Sequence, residues 1–205
     1  GIAEADPNLT AVFGNAQPGS LPLAKVIQQV SENLFVAPSS LDMAAVELGI
    51  NARLGREYIL AEALENLKGF DLVLIDCPPS LSILTVNGLV SALNGVLIPV
   101  QCEYLALEGL SLLLQTINRV QKGVNPRLQV GGILFTMYDS RTRLAQEVVQ
   151  EVTGYFKEKV FRTIIPRNVR LGEAPSFAKP INRYDPECIG AKSYQKLAEE
   201  VLANG

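Results

Sequence analysis

Apolar residues fall along this chain in two patterns: short dense runs, and longer stretches where they recur every third or fourth position. The dense runs are Leu72–Ile75 (inside FDLVLIDCPP, 70–79), Gly95–Val100, Val130–Met137 and Val160–Ile165. Runs this short and this apolar read as strands buried on both faces of a parallel sheet. The periodic stretches predict helices over Leu41–Leu48, Leu54–Leu67, Leu81–Leu93, Leu105–Lys122, Thr142–Tyr155 and Ile189–Leu202. Ser39 or Ser40 can cap the first of these and Gly49 ends it. Leu34–Ala37 is one more short strand, stopped by Pro38. Residues 1–33, with Pro7, Pro18, Gly19 and Pro22, form an irregular lead-in with at most a short helix from Leu23 to Val30. Strand and helix then alternate, which predicts one α/β domain over 1–205: a mostly parallel sheet with helices on both faces.

In such a sheet all strand carboxyl ends face one crevice, where ligands bind. Those ends are Asp76–Pro79, Gln101–Glu103, Met137–Arg141 and Pro166–Arg170. Pro78 and Pro79 cannot continue a central strand, so Asp76 should stand at the sheet's edge. A carboxylate there either holds Mg²⁺ or its waters beside nucleotide phosphates, or caps the next helix. Each loop alone is an ordinary solvent-exposed connection. Four polar ends after four apolar runs favour a site.

Composition narrows the chemistry. The chain has 205 residues, is 48% hydrophobic and carries a net charge of −3. Nothing basic overall advertises nucleic acid. The absence of histidine excludes His-based triads and His metal sites. Cys77, Cys102 and Cys188 lack the spacing of a disulfide framework or a zinc site. No apolar run approaches a membrane span and no signal peptide is visible, so a soluble cytoplasmic protein is expected. A local basic patch does exist: between Asp139 and Arg170, seven basic residues oppose four acidic ones. On charge alone that is an ordinary solvated face.

The segments LVLIDCPPSL, VLIPVQCEYLALEGLSLLL, LFTMYDSRT, KVFRTIIPRNVRLGEAPS and YDPECIGAKSY, in this order, resemble the ParA/Soj partition ATPases. The resemblance runs from about Leu34 to the end of the chain. It implies a P-loop NTPase-like fold that binds ATP with Mg²⁺, forms a homodimer around ATP, and binds DNA nonspecifically. It also implies a ParB-type partner that stimulates hydrolysis, in the service of chromosome or plasmid partition at the nucleoid. By position, Asp76 would be the acid that acts on Mg²⁺ through water, and Asp76–Pro79 the γ-phosphate switch. Pro166 and Asn168 would read the adenine, with Met137 a further candidate, and Glu103 would approach a ribose across the dimer. Arg141 and Arg170 would contact DNA. The related MinD proteins, which cycle on membranes, match these segments less closely. The helix ending at Leu202 carries Glu199 and Glu200 rather than basic flanks, so no membrane partner is expected.

The sequence departs from that family in one major respect. No G-x-x-x-x-G-K-[ST] loop is present, and Gly190-Ala191-Lys192-Ser193 reads as ordinary helix-start chemistry. The acidic motif that follows the family's second strand is missing too, and the chain opens on Gly1 rather than methionine. The family's N-terminal strand and P-loop are therefore absent from this chain, which alone is expected to be inactive and less stable than the family. A non-catalytic remnant serving as an interaction module, or a MinD-like ATPase, stand as alternatives. In the turn after Tyr184-Asp185-Pro186, Glu187-Cys188-Ile189 replaces the usual arginines, which weakens the expectation of DNA binding.

Overall fold

In the computed structural model, which describes residues 5–14 and 21–204, two compact units are built from one chain. Pro18 and Gly19 of the lead-in lie outside the described residues.

The first unit runs to Ala92 and takes in Lys122–Pro126. It contains helix α1 (Leu9–Gly14), strands β1 (Gln28–Ser31) and β2 (Leu34–Val36), and helices α2 (Met43–Ile50), α3 (Ile59–Glu65) and α4 (Ile83–Ser91). β1 and β2 pair antiparallel, with Gln28 opposite Val36, so the lead-in holds a hairpin rather than a helix over 23–30. A single 3₁₀ turn at Leu23–Lys25 is all the helix found there. Val12, Phe13, Leu23, Val26, Ile50, Ile59 and Leu60 form the core. Asn87 of α4 is fully buried inside this unit and wholly satisfied. Its Oδ1 accepts from the Leu60 N–H at 3.0 Å, and its Nδ2 donates to the Arg56 and Ile83 carbonyls at 2.8 and 2.9 Å. One amide thus closes the start of α3 and ties it to α4.

Leu72–Ile75 does not form the buried strand that its pattern predicts. It joins no ladder among the described residues, and Leu72, Val73 and Leu74 are exposed, Leu74 by 83%. Only Ile75 packs on the core of the unit. A strand buried on both faces needs a hydrogen-bonded neighbour, and the described strands pair β1 with β2 and the two strands of the second unit with each other.

The second unit holds Leu93–Gln121 and the chain from Arg127. Its elements are strand β3 (Val96–Gln101), helix α5 (Tyr104–Gly123, which ends in the first unit's segment), strand β4 (Val130–Thr136), and helices α6 (Arg143–Phe156), α7 (Val169–Glu173), α8 (Ile181–Tyr184) and α9 (Ile189–Asn204). β3 and β4 are parallel, in register from Leu97 opposite Gly132 to Gln101 opposite Thr136. Ile133, Leu134 and Phe135 are buried one after another, so both faces of β4 are covered. On one face Leu134 packs with Phe161, Ile165 and Leu197 of α9, with Val201 beside them. The apolar side of α9 is thereby occupied by the sheet.

The segment 160–166 runs parallel along β4, but bulged rather than as the regular strand expected. Phe161 N–H donates to the Ile133 carbonyl and Ile165 N–H to the Phe135 carbonyl, each at 2.9 Å, so four residues advance against two on β4. The extra N–H groups, of Arg162 and Thr163, are taken by the Glu200 carboxylate at 2.7 and 3.0 Å. Further on, Arg167 N–H donates to the Tyr138 carbonyl, so two residues now advance against three. β4 gives back one residue at Met137, whose φ of 54° is left-handed. Gly132 makes room for this arrangement, because a Cβ there would stand 2.2 Å from the Phe161 ring.

Candidate functional site

Three of the four strand ends lie in the second unit, and the structure brings parts of all three to one open cavity of about 520 Å³. The β3 end supplies Cys102, Glu103, Tyr104 and Leu105; the β4 end supplies Met137 and Asp139; Thr142, Leu144 and Ala145 come from the start of α6, and Arg167 from the turn after Pro166. Local chemistry fixes each part. Glu103 N–H closes a tight turn on the Gln101 carbonyl at 2.8 Å, directly before α5. Thr142 caps α6 by accepting from the Ala145 N–H, and its hydroxyl donates to the Asp139 carbonyl at 3.0 Å. Tyr138 and Pro166 form a parallel bridge, which locks the β4 end to the turn carrying Arg167.

Half of the lining is apolar, and Glu103, Asp139 and Arg167 are its charged residues. Asp139 accepts from the Arg141 N–H and Nε at 3.0 and 2.9 Å through Oδ1, and from Nη2 at 2.7 Å through Oδ2. That fork holds its carboxyl down at about 2, with the charges of Arg141 and Arg167 helping. Burial pushes the Cys102 thiol up to about 11, so it stays protonated at neutral pH and is no nucleophile. The cavity's apolar wall and charged edges suit it to bind and orient a ligand. Its size is ordinary for a small-molecule site.

Of the residues singled out from sequence, Glu103 and Met137 line the cavity. Pro166 sits beside it on the bridge to Tyr138. Asn168 caps α7, its Oδ1 accepting from the Arg170 N–H at 2.9 Å. Arg141 is held by Asp139 just outside, its side chain 86% exposed. Arg170 lies farther along, in ion pairs with Glu173 at 2.8 Å and Asp185 at 3.4 Å. Asp76 belongs to the first unit, exposed, directly after core-packed Ile75. The neighbouring Cys77 sulfur rests on Gly88 of α4, where a Cβ would come within 2.5 Å. Asp139 and Arg167 were given no role from sequence, although both flank named positions: one two residues before Arg141, the other directly after Pro166. The basic patch is also less basic than a count over 139–170 implies, because Arg170 is paired with Glu173 and Asp185, which lie outside that window, while Arg141 and Arg143 are paired with Asp139 and Glu147 inside it.

Fit to ATP and Mg²⁺ is one-sided. The cavity offers an apolar wall with polar edges, as a base and sugar need. Among the described residues no group of three Asp, Glu, Cys or His side chains can hold a metal, and the sequence contains no glycine-rich phosphate cradle. Gly190, in the first turn of α9, instead makes room for Leu171 of α7, 2.7 Å from where its Cβ would be. No helix among the described residues is long and apolar enough to cross a membrane.

Comparison with known proteins places these features. A family model described as an AAA domain matches residues 3–130. The chain is 58% identical over 172 residues to the chromosome-partitioning ATPase Soj of Treponema pallidum, covering 83% of this chain and 68% of that protein. It is 45% identical to the chromosome partitioning protein ParA of Myxococcus xanthus, covering 98% of this chain and 72% of the relative. Among solved structures, cobyrinic acid a,c-diamide synthase from Mycobacterium smegmatis, with bound ATP analog and magnesium, superposes with a TM-score of 0.80 at 34% identity over 97% of this chain and 73% of that one. The α/β architecture with its parallel sheet is that of the P-loop NTPases, and the chain belongs to the ParA/Soj family of chromosome-partitioning ATPases.

Proposed function

We propose that this chain acts in a ParA/Soj-type partition ATPase, with the strand-end cavity as the base and ribose end of its ATP site. The convergence of Glu103, Met137, Asp139 and Arg167 at the carboxyl end of a parallel sheet, in a chain of this family, carries the reading. The adenine would lie against Met137 and Leu144, with Pro166 and Asn168 bordering it and Glu103 towards the ribose. Mg²⁺, when bound, neutralises phosphate charge. Asp76 is the carboxylate assigned to one of its waters by family position rather than by geometry. The two arginines assigned to DNA are Arg141 and Arg170. Dimerisation around ATP, nonspecific DNA binding at the nucleoid and stimulation of hydrolysis by a ParB-type partner complete the cycle.

Without a cradle of backbone N–H groups and its lysine, the phosphates have nothing in this sequence to hold them. This chain on its own is therefore proposed to be inactive in hydrolysis. The same observation favours a second reading, in which the chain is a non-catalytic interaction module of the family.

Binding of a fluorescent ATP analogue to this chain, with and without Mg²⁺, tests the assignment. Weak binding that ignores Mg²⁺ and Asp76→Ala, but is lost in Arg167→Ala, is expected of a base-end cavity lacking its phosphate cradle. Tight, Mg²⁺-dependent binding weakened by Asp76→Ala would show that the phosphates are held after all. No binding of any kind by the folded chain would leave the interaction-module reading.

A further inference from the structure

Arg170 is not presented to solvent as a bare cation. Its Nη1 donates to Glu173 Oε2 at 2.8 Å within α7, and its Nε faces Asp185 Oδ2 at 3.4 Å, just after α8. Glu173 is itself held, because the Tyr184 hydroxyl donates to the same Oε2 at 3.0 Å and the Tyr184 ring stacks on Phe177 with centroids 5.0 Å apart. Asp185 is engaged on its other oxygen, which accepts from the Cys188 N–H at 3.2 Å ahead of α9. Two carboxylates fixed by their surroundings thus grip one guanidinium. The group remains open to water, with side-chain exposures of 53% for Arg170 and 37% for Glu173. Ion pairs this exposed add little to stability, so anchoring the fold does not account for the clasp. What it does control is the availability of Arg170 to an incoming anion. A guanidinium fork fits a carboxylate and a phosphate equally well, and one fork cannot serve both at full strength.

We propose that Glu173 and Asp185 keep Arg170 in an occupied state, so that a DNA phosphate must displace the Glu173 carboxylate to reach the guanidinium. The proposal rests on the assignment of Arg170 to DNA made above and adds the residues that set its affinity. Asp185 is committed to the start of α9 and stays in place; Glu173 is the partner that yields. Weak binding by each single site is the result, suited to a surface that must hold DNA only when several such sites act together.

The test is fluorescence anisotropy with a labelled 24-base-pair duplex, with ATP and Mg²⁺ present, across a salt series. Glu173→Gln should bind about fivefold tighter than the parent chain, and its plot of log affinity against log salt should steepen by about 0.9, as one added phosphate contact requires. Glu199→Gln, which removes the same charge from the exposed face of α9, controls for net charge and should gain less. The gain should vanish in Arg170→Ala/Glu173→Gln. Tyr184→Phe, which loosens the clasp without touching a charge, should move affinity in the same direction by a smaller factor. A Glu173→Gln variant that binds no tighter than Glu199→Gln, or a gain that survives loss of Arg170, overturns the proposal. If Arg170→Ala binds as the parent does, or no form binds the duplex, the DNA assignment of Arg170 fails and the clasp has no phosphate to exclude.

Discussion

Leu72–Ile75 and Ile133–Phe135 have nearly the same apolar pattern and opposite fates. The second lies in β4 between β3 and the bulged segment, every residue buried. The first carries three exposed leucine and valine side chains and joins no ladder among the described residues. The difference teaches that an apolar run specifies a desire for burial, while hydrogen-bonded neighbours decide whether burial happens. The contrast has a functional side. The strand ends around the cavity are held by their ladder, whereas Asp76 joins no ladder among the described residues and sits between Ile75 on the core and Cys77 against Gly88.

The largest expected effect separates the two runs directly. Phe135→Ala should cost about 3–5 kcal/mol in urea unfolding, because the ring is almost wholly buried, while Leu74→Ala should change stability by about 0.5 kcal/mol or less. Equal costs would erase the comparison. Next comes Asn87→Ala, which leaves the Leu60 N–H and two carbonyls without their partner in the first unit and should cost about 2 kcal/mol. Chemical denaturation followed by far-ultraviolet circular dichroism reads both.

Glu200 gives a smaller effect with a sign. Burial pushes its carboxyl up, but the N–H groups of Arg162 and Thr163 outweigh that and leave it net lowered. Its contribution is therefore complete above the ordinary glutamate range and drains away as pH falls through the lowered value. Glu200→Gln should cost about 1 kcal/mol at neutral pH and flatten the acid limb of the stability profile. An unchanged acid limb would mean that the bulge holds without its carboxylate. Smallest of all is a change in titration alone. Carbon-detected NMR should find Asp139 protonating near pH 2, and at a higher pH in Arg141→Ala, which loses the guanidinium but keeps the backbone N–H bond and the charge of Arg167.

Much of the second unit was legible because its signals are strong and local. β3, β4, α5, α6 and α9 follow runs or periodicities long enough to be unambiguous, and Thr142 announced the start of α6. The β1–β2 hairpin was not legible, since Gln28-Gln29-Val30-Ser31 has neither an apolar face nor a glycine turn. The bulge was hidden too: Val160–Ile165 reads as a plain strand, and nothing nearby in sequence marks Glu200 as the group that absorbs its extra N–H groups. At the polar strand ends, Glu103 and Met137 both come to the cavity lining. The pairing of Arg170 was not legible in a count over 139–170, because Glu173 lies past its end and Asp185, fifteen positions away, is brought near by α8.

The bulge also fixes which side chain reaches the cavity. Four residues advance against two, then two against three, a net offset of one. With a regular ladder from Val160, Ile165 would stand opposite Tyr138 and Pro166 would occupy the place Arg167 now holds. The length of chain between Phe161 and Ile165 is thus a selector for the cavity wall. Drawing the bulge out at unchanged length would put a proline ring where the guanidinium stands, whereas removing one residue together with the bulge would keep Arg167 in place, so chain length and register must change together for the wall to stay the same.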